Sequence, residues 1–219
     1  MPLDYLYLHG FASSPQSQKA QFLKKQFQTI GQTLHIMDLN QDDFAHLTLS
    51  RQIQQGVDWV IERDRVNLLG SSFGGLTAAW IAQHPSVQDK INRLVLLAPA
   101  FQFLTQWLPR LGSETVTQWQ TEGWLSVYHY GKAQKLPLSY DFVTDAQRYE
   151  EAHLTIPVPT LILHGRHDEV IDIQASRNYT AQRPWVQLIE IESDHSLASA
   201  HQSIWDATQS FLGLTDAIS

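Results

Sequence analysis

The chain has 219 residues, of which 43% are hydrophobic and 17% charged, with a formal net charge of −7 and no cysteine. A chain of this length buries roughly 70% of its unfolded surface, so a globular domain is expected and a disordered chain is not. With no basic cluster beyond Lys24-Lys25, a nucleic-acid or anionic-membrane partner is not expected, because phosphate affinity rests on grouped Lys and Arg. The lack of cysteine removes disulfides, thiolate nucleophiles and Cys-ligated zinc, and it is compatible with a cytoplasmic protein.

In chain order, residues 1–10 carry Asp4 and no basic stretch and enter a strand at once, so they do not read as a signal peptide. Strands are expected at Tyr5–Leu8, Thr33–Asp38, Val66–Leu69, Leu94–Leu97, Thr160–Leu163 and Val186–Ile191. Several are nearly continuous in apolar residues, as strands covered on both faces must be. Helical spacing falls between them, at Gln18–Phe27, Leu49–Ile61, Leu76–Gln83, Ile173–Gln182 and Ser203–Leu212, the last ending before Gly213. The nearly apolar stretch Leu94–Phe101 is too short to span a bilayer and contains Pro99. Alternating strands and helices predict a three-layer α/β fold whose mostly parallel sheet has about six strands.

One segment breaks this alternation. Phe101–Leu154 brings Trp107, Trp119 and Trp124 close together in sequence and is expected to form a hairpin of Trp124–Tyr130 and Leu136–Phe142 around Gly131-Lys132-Ala133. It reads as an insertion between the fourth and fifth strands of a single domain. Either it adds a packing layer, or it caps the site and places Trp107, Trp124 and Tyr128 against substrate.

The strongest chemical signal is Gly70-Ser71-Ser72-Phe73-Gly74, a G-x-S-x-G turn between a strand and a helix. Such a turn lifts the serine hydroxyl above the sheet, and the glycines let strand and helix approach closely. Ser72 is therefore the candidate nucleophile. A serine hydroxyl needs a base, and of ten histidines His195 follows the strand Val186–Ile191 after a short loop. His9 and His164 end strands before glycines and read as structural. Asp168 follows the strand Thr160–Leu163 and is the candidate acid, with Glu169 and Asp172 as nearby alternatives. The chain order Ser, Asp, His is that of α/β hydrolases. The backbone N–H groups of Phe73 and Phe11 are the candidate oxyanion donors. His164, His167 and Asp168 lie close enough in sequence to suggest metal ligands, but without a further paired His-Asp motif the expected chemistry uses neither metal nor cofactor.

Tyr7-Leu8-His9-Gly10-Phe11 with Ser13-Ser14-Pro15, Gly70 to Gly75, and Leu97-Ala98-Pro99-Ala100 also resemble a known family. So do the Trp- and Tyr-rich insertion, His164-Gly165 with Asp168, and Asp194-His195-Ser196. Together they resemble the YqiA/YcfP-like esterases of the α/β-hydrolase superfamily over almost the whole chain. The resemblance implies a compact hydrolase acting on a small-molecule carboxylic ester or an acyl thioester such as acyl-CoA. It also implies Ser72, Asp168 and His195 as nucleophile, acid and base. Glu192-Ser193 depart from the family pattern, which leads to a glycine there.

Overall fold

The computed structural model describes residues 3–214. Six strands form one sheet: β1 (Asp4–Leu8), β2 (Leu34–Met37), β3 (Val66–Ser71), β4 (Ile91–Leu97), and, after the insertion, β7 (Thr160–Gly165) and β8 (Val186–Ile191). Their order is β2-β1-β3-β4-β7-β8, and every neighbouring pair is parallel. The sheet is thus wholly parallel. The insertion between β4 and β7 holds α4 (Phe103–Leu111), α5 (Ser113–Glu122), a hairpin of β5 (Trp124–His129) and β6 (Gln134–Ser139), and α6 (Asp141–Ala146).

The strands sort their side chains with period two. Leu6, Leu8, Leu68, Leu94, Leu96 and Ile162 join one core, while Tyr5, Tyr7, Leu69, Val95, Leu97 and Leu163 join the other. The first core is covered by α2 (Leu49–Ile61), α3 (Phe73–Ile81) and α7 (Ile173–Ala181), the second by α1 (Gln18–Thr29) and α8 (His201–Leu212). Local sequence supports these helices. In α2 the Thr48 hydroxyl accepts the Arg51 N–H at 3.1 Å, and Ile53, Val57 and Val60 turn one apolar stripe inward. α8 ends at Gly213, whose φ of 67° is the left-handed C-cap geometry that favours glycine.

The insertion packs onto the first core. Trp119 is 1% exposed, and its indole N–H donates to the Leu138 carbonyl at 3.0 Å. In the hairpin the aliphatic side chains Leu125, Val127 and Leu136 turn inward, leaving the face with Trp124 and Tyr128 toward solvent. Among the described residues no helix is long and apolar enough to cross a membrane.

Candidate active site

The sheet order decides which loops meet. β1 and β3 are direct neighbours with Leu8 opposite Gly70, so the loop after β1 lies beside the turn after β3. The chain departs from β1 toward β2 on one side and resumes at β3 on the other, a switch point at which parallel sheets open a crevice. β7 and β8 are likewise paired, with Gly165 opposite Ile191, and their following loops carry Asp168 and His195.

At the end of β3 the chain turns sharply. Ser72 has φ 53° and ψ −120°, a backbone that side-chain-bearing residues seldom adopt, and α3 starts at the next residue. The close approach needs glycine at two points. A Cβ on Gly70 would run into the Gly74 carbonyl, and one on Gly74 into the Leu8 and His9 carbonyls. The Ser72 N–H donates to Leu97 O at 2.9 Å and its carbonyl accepts the Ala100 N–H at 3.0 Å, which fixes the turn against the end of β4.

Ser72 Oγ lies 3.1 Å from His195 Nε2, and His195 Nδ1 lies 2.7 Å from Asp168 Oδ2. The carboxylate accepts the Nδ1 proton, which leaves the Nε2 lone pair facing the serine hydroxyl. The Asp168 side chain is fully buried and the His195 side chain 18% exposed. Burial alone would raise the Asp168 pKa. Hydrogen bonds from His164, His195 and the Ile171 N–H, with the charge on His195, override it and hold the carboxyl well below its usual range. Asp168 therefore stays an anion beside the imidazole.

The alternative acids are occupied elsewhere. Glu169 accepts the His195 backbone N–H at 3.3 Å, and Asp172 caps α7 by accepting the Gln174 N–H at 2.8 Å. His167 turns outward to Glu192 at 3.0 Å, so His164, His167 and Asp168 do not converge. The departure at Glu192-Ser193 is accommodated by the neighbouring loop. A Cβ at Gly165 would strike the Ser193 and Asp194 carbonyls, so the small residue sits across the gap.

Phe11 and Phe73 flank Ser72, and among the described residues neither N–H donates to a protein acceptor. The loop bearing Phe11 is shaped by His9, which accepts the Leu39 N–H on Nε2 at 3.1 Å and donates from Nδ1 to Gly10 O at 2.9 Å. The Phe11 ring packs against Trp107, with centroids 5.3 Å apart, and against Phe142 at 5.2 Å. Trp124 instead packs edge-on to His46 and is 47% exposed, and Tyr128, 46% exposed, packs against Tyr130. The structure brings Trp107 to the Phe11 loop but does not gather Trp124 or Tyr128 around Ser72. A cavity of about 540 Å³ between α3, α4 and the segment after α6 is walled by Leu49, Phe73, Leu76, Phe103, Leu108 and Tyr149.

Two further residues touch this constellation. His164 contacts Asp168 at 3.1 Å, and the Lys19 ammonium donates to the His195 carbonyl at 3.4 Å. Burial lowers the Lys19 pKa to about 8, with Asp168 and Asp194 pulling the other way. Neither contact has a mark in the sequence: His164 reads as a structural residue at a strand end, and Lys19 as one lysine of an amphipathic helix.

Residues 4–212 match the profile of the uncharacterised protein family UPF0227, the YqiA/YcfP-like esterases. The chain belongs to that family. A UPF0227 chain of this kind is also similar to a curated protein named "Putative esterase/lipase 3" of Mycoplasma pneumoniae, at 25% identity over 80% of this chain and 68% of that one. Its fold is shared with α/β hydrolase domain-containing protein 10 from mouse, at a TM-score of 0.79 and 19% identity, covering 97% of this chain and 90% of that one. The ferulic-acid-bound Est1E from Butyrivibrio proteoclasticus aligns at a TM-score of 0.79 and 21% identity over 97% and 88% of the two chains. A Paleococcus ferrophilus monoacylglycerol lipase aligns at a TM-score of 0.72 and 16% identity over 96% and 94%. This UPF0227 member is therefore an α/β hydrolase in fold.

Proposed function

We propose that this UPF0227 hydrolase is a cytoplasmic serine esterase that cleaves small-molecule carboxylic esters through an acyl-enzyme. The observation that carries the reading is the unbroken hydrogen-bonded series Ser72 Oγ, His195 Nε2, His195 Nδ1 and Asp168 Oδ2, at 3.1 and 2.7 Å. Ser72 Oγ attacks the ester carbonyl while His195 Nε2 takes its proton, and Asp168 stabilises the imidazolium without being protonated itself. The carbonyl oxygen becomes an oxyanion held by the Phe11 and Phe73 N–H groups. Collapse of the tetrahedral intermediate expels the alcohol, which receives the proton from His195. Water, deprotonated by His195, then repeats the attack and releases the acid.

The acyl group is assigned to the cavity walled by Phe73, Leu76, Phe103 and Leu108. Phe73 supports this placement, since its backbone flanks the nucleophile and its side chain forms a wall. Trp107, which packs on Phe11, is the insertion tryptophan best placed to touch substrate. Each buried methylene contributes about 0.8 kcal/mol, so chain length should matter severalfold per carbon until the cavity is full.

A fluorophosphonate probe and a panel of p-nitrophenyl esters and acyl-CoAs of increasing chain length test the proposal. Ser72→Ala should lose both labelling and turnover, and Asp168→Asn should lower kcat about 10⁴-fold. Labelling that persists in Ser72→Ala, or disappears in Ser71→Ala instead, defeats the assignment. A thioesterase would show itself by preferring the acyl-CoA series.

A further inference from the structure

Asp168 carries a second imidazole on the same oxygen that serves His195. His164, fully buried at the end of β7, places Nε2 3.1 Å from Asp168 Oδ2 and 3.0 Å from the Ile171 carbonyl. The Ile171 carbonyl can only accept, so Nε2 bears the proton and donates it there, with Asp168 Oδ2 in close polar contact alongside. Nδ1 pairs with the buried Ser176 hydroxyl at 2.7 Å. The other carboxylate oxygen, Oδ1, already accepts the Val170 and Ile171 N–H groups at 2.8 and 2.7 Å. The main chain thus fixes the carboxylate plane, and Oδ2 lies between two imidazoles, hydrogen-bonded to His195 Nδ1 and in close polar contact with His164 Nε2. A histidine that merely filled core volume would require no such alignment, since an aromatic hydrocarbon ring fills the same space.

We propose that His164 is a positioning residue of the reaction, an imidazole whose Nε2–H lies against Asp168 Oδ2 beside His195 and so limits how strongly His195 holds a proton. The proposal rests on the triad reading above. A donor on the anion draws part of its charge and weakens its pull on the imidazolium of His195. His195 consequently remains a free base to lower pH. Without the His164 donor the charge concentrates on His195, and the base is protonated over more of the working range.

Other groups face this series from each element packed on it. Lys19 from α1 lies near Asp168 and Asp194, Glu169 accepts the His195 N–H, and Ser176 comes from α7. Among the described residues, none of these hydrogen-bonds to Oδ2, whose partners are the two imidazoles.

The test compares His164→Phe, which keeps a ring without a donor, with His164→Gln, whose side-chain amide restores an N–H. Ester hydrolysis is followed from about pH 5 to pH 9, with thermal unfolding to establish that each variant is folded. His164→Phe should lower kcat roughly tenfold with KM little changed, and should move the acid limb of the profile upward by about half a pH unit or more. His164→Gln should return the limb toward its original place. An unmoved limb in His164→Phe, or equal displacement in both variants, overturns the proposal. Should His164→Phe fail to fold, nitrogen-15 spectra of histidine-labelled unaltered protein decide. A proton on His164 Nε2 throughout the active range is required, and an Nδ1–H tautomer with bare Nε2 overturns the proposal. Ser72→Ala in the same assay separates the two levels. Turnover surviving there defeats the triad reading itself, whereas its loss beside an unmoved His164→Phe profile defeats only the role of His164.

Discussion

Ser72 holds its strained backbone because contacts on both sides leave it no alternative. A residue with a Cβ at φ 53° and ψ −120° costs on the order of 1–3 kcal/mol, and glycine relieves much of that. Ser72→Gly should therefore be more stable than Ser72→Ala by about 1 kcal/mol in urea unfolding, with turnover lost in both. Equal midpoints would mean that the strain has been absorbed elsewhere. The residues proposed as nucleophile, acid and base stand out in the sequence because each follows an apolar strand, and a G-x-S-x-G turn declares its own geometry. His164 was not legible in its contact with Asp168. Four positions apart, the two side chains meet only because the loop after β7 curls back on itself. Lys19 was hidden for a different reason: on an amphipathic helix it looks like any solvated lysine, and only tertiary packing carries it beneath the His195 loop.

Helix α4 is tied down at both ends. Arg110 donates to the Glu169 and Val170 carbonyls at 2.9 and 2.6 Å, and the Asp172 N–H donates to Gln106 at 2.7 Å, so its C-terminal part is joined to the loop that carries Asp168. At its start the Gln102 N–H donates to Glu151 at 2.5 Å. Burial pushes the Glu151 pKa from 4.5 up to about 7, partly opposed by the Gln102 N–H and by Arg183. Between those values the folded chain keeps a proton that the unfolded chain releases. Its stabilising contribution is complete below the lower value and is lost as pH rises through about 7. Glu151→Gln, which stays neutral and retains an acceptor, should match the parent in thermal midpoint at about pH 5 and exceed it at about pH 8. A constant difference across that range would remove Glu151 as the source. The sequence concealed this element. Pro109 and Gly112 interrupt the helical spacing of α4 and α5, and the concentration of tryptophans draws attention from it. In the hairpin the period of two was readable, but not which face turned inward. Leu125 and Val127 find an aliphatic partner in Leu136, and the larger aromatic rings are left outside.

At the scale of the whole molecule, the two cores are separated by the sheet and bear differently on the site. Trp205 on α8 is 5% exposed and packs against Phe27 at 5.4 Å in the core on the α1 side. Trp205→Ala should cost about 3–5 kcal/mol by urea unfolding, because it removes a large buried ring without a substitute. Turnover per folded molecule should stay unchanged, since α8 supplies none of the proposed reacting groups. A fall in kcat without unfolding would show that this core also sets the geometry of the triad. The parallel order of the sheet was readable from its apolar runs and crossover helices, whereas the reversal of direction that seats β1 beside β3 is a tertiary choice with no local mark. That order has a consequence for biosynthesis. A growing chain emerges N-terminus first, and β8 is both the last strand and an edge strand held by β7 alone. The serine turn precedes β8 in the chain by more than a hundred residues, whereas the proposed base lies in the loop after β8 and arrives only when that strand docks. On the proposed triad, a nascent chain is therefore inert until β8 and the His195 loop have been made and paired.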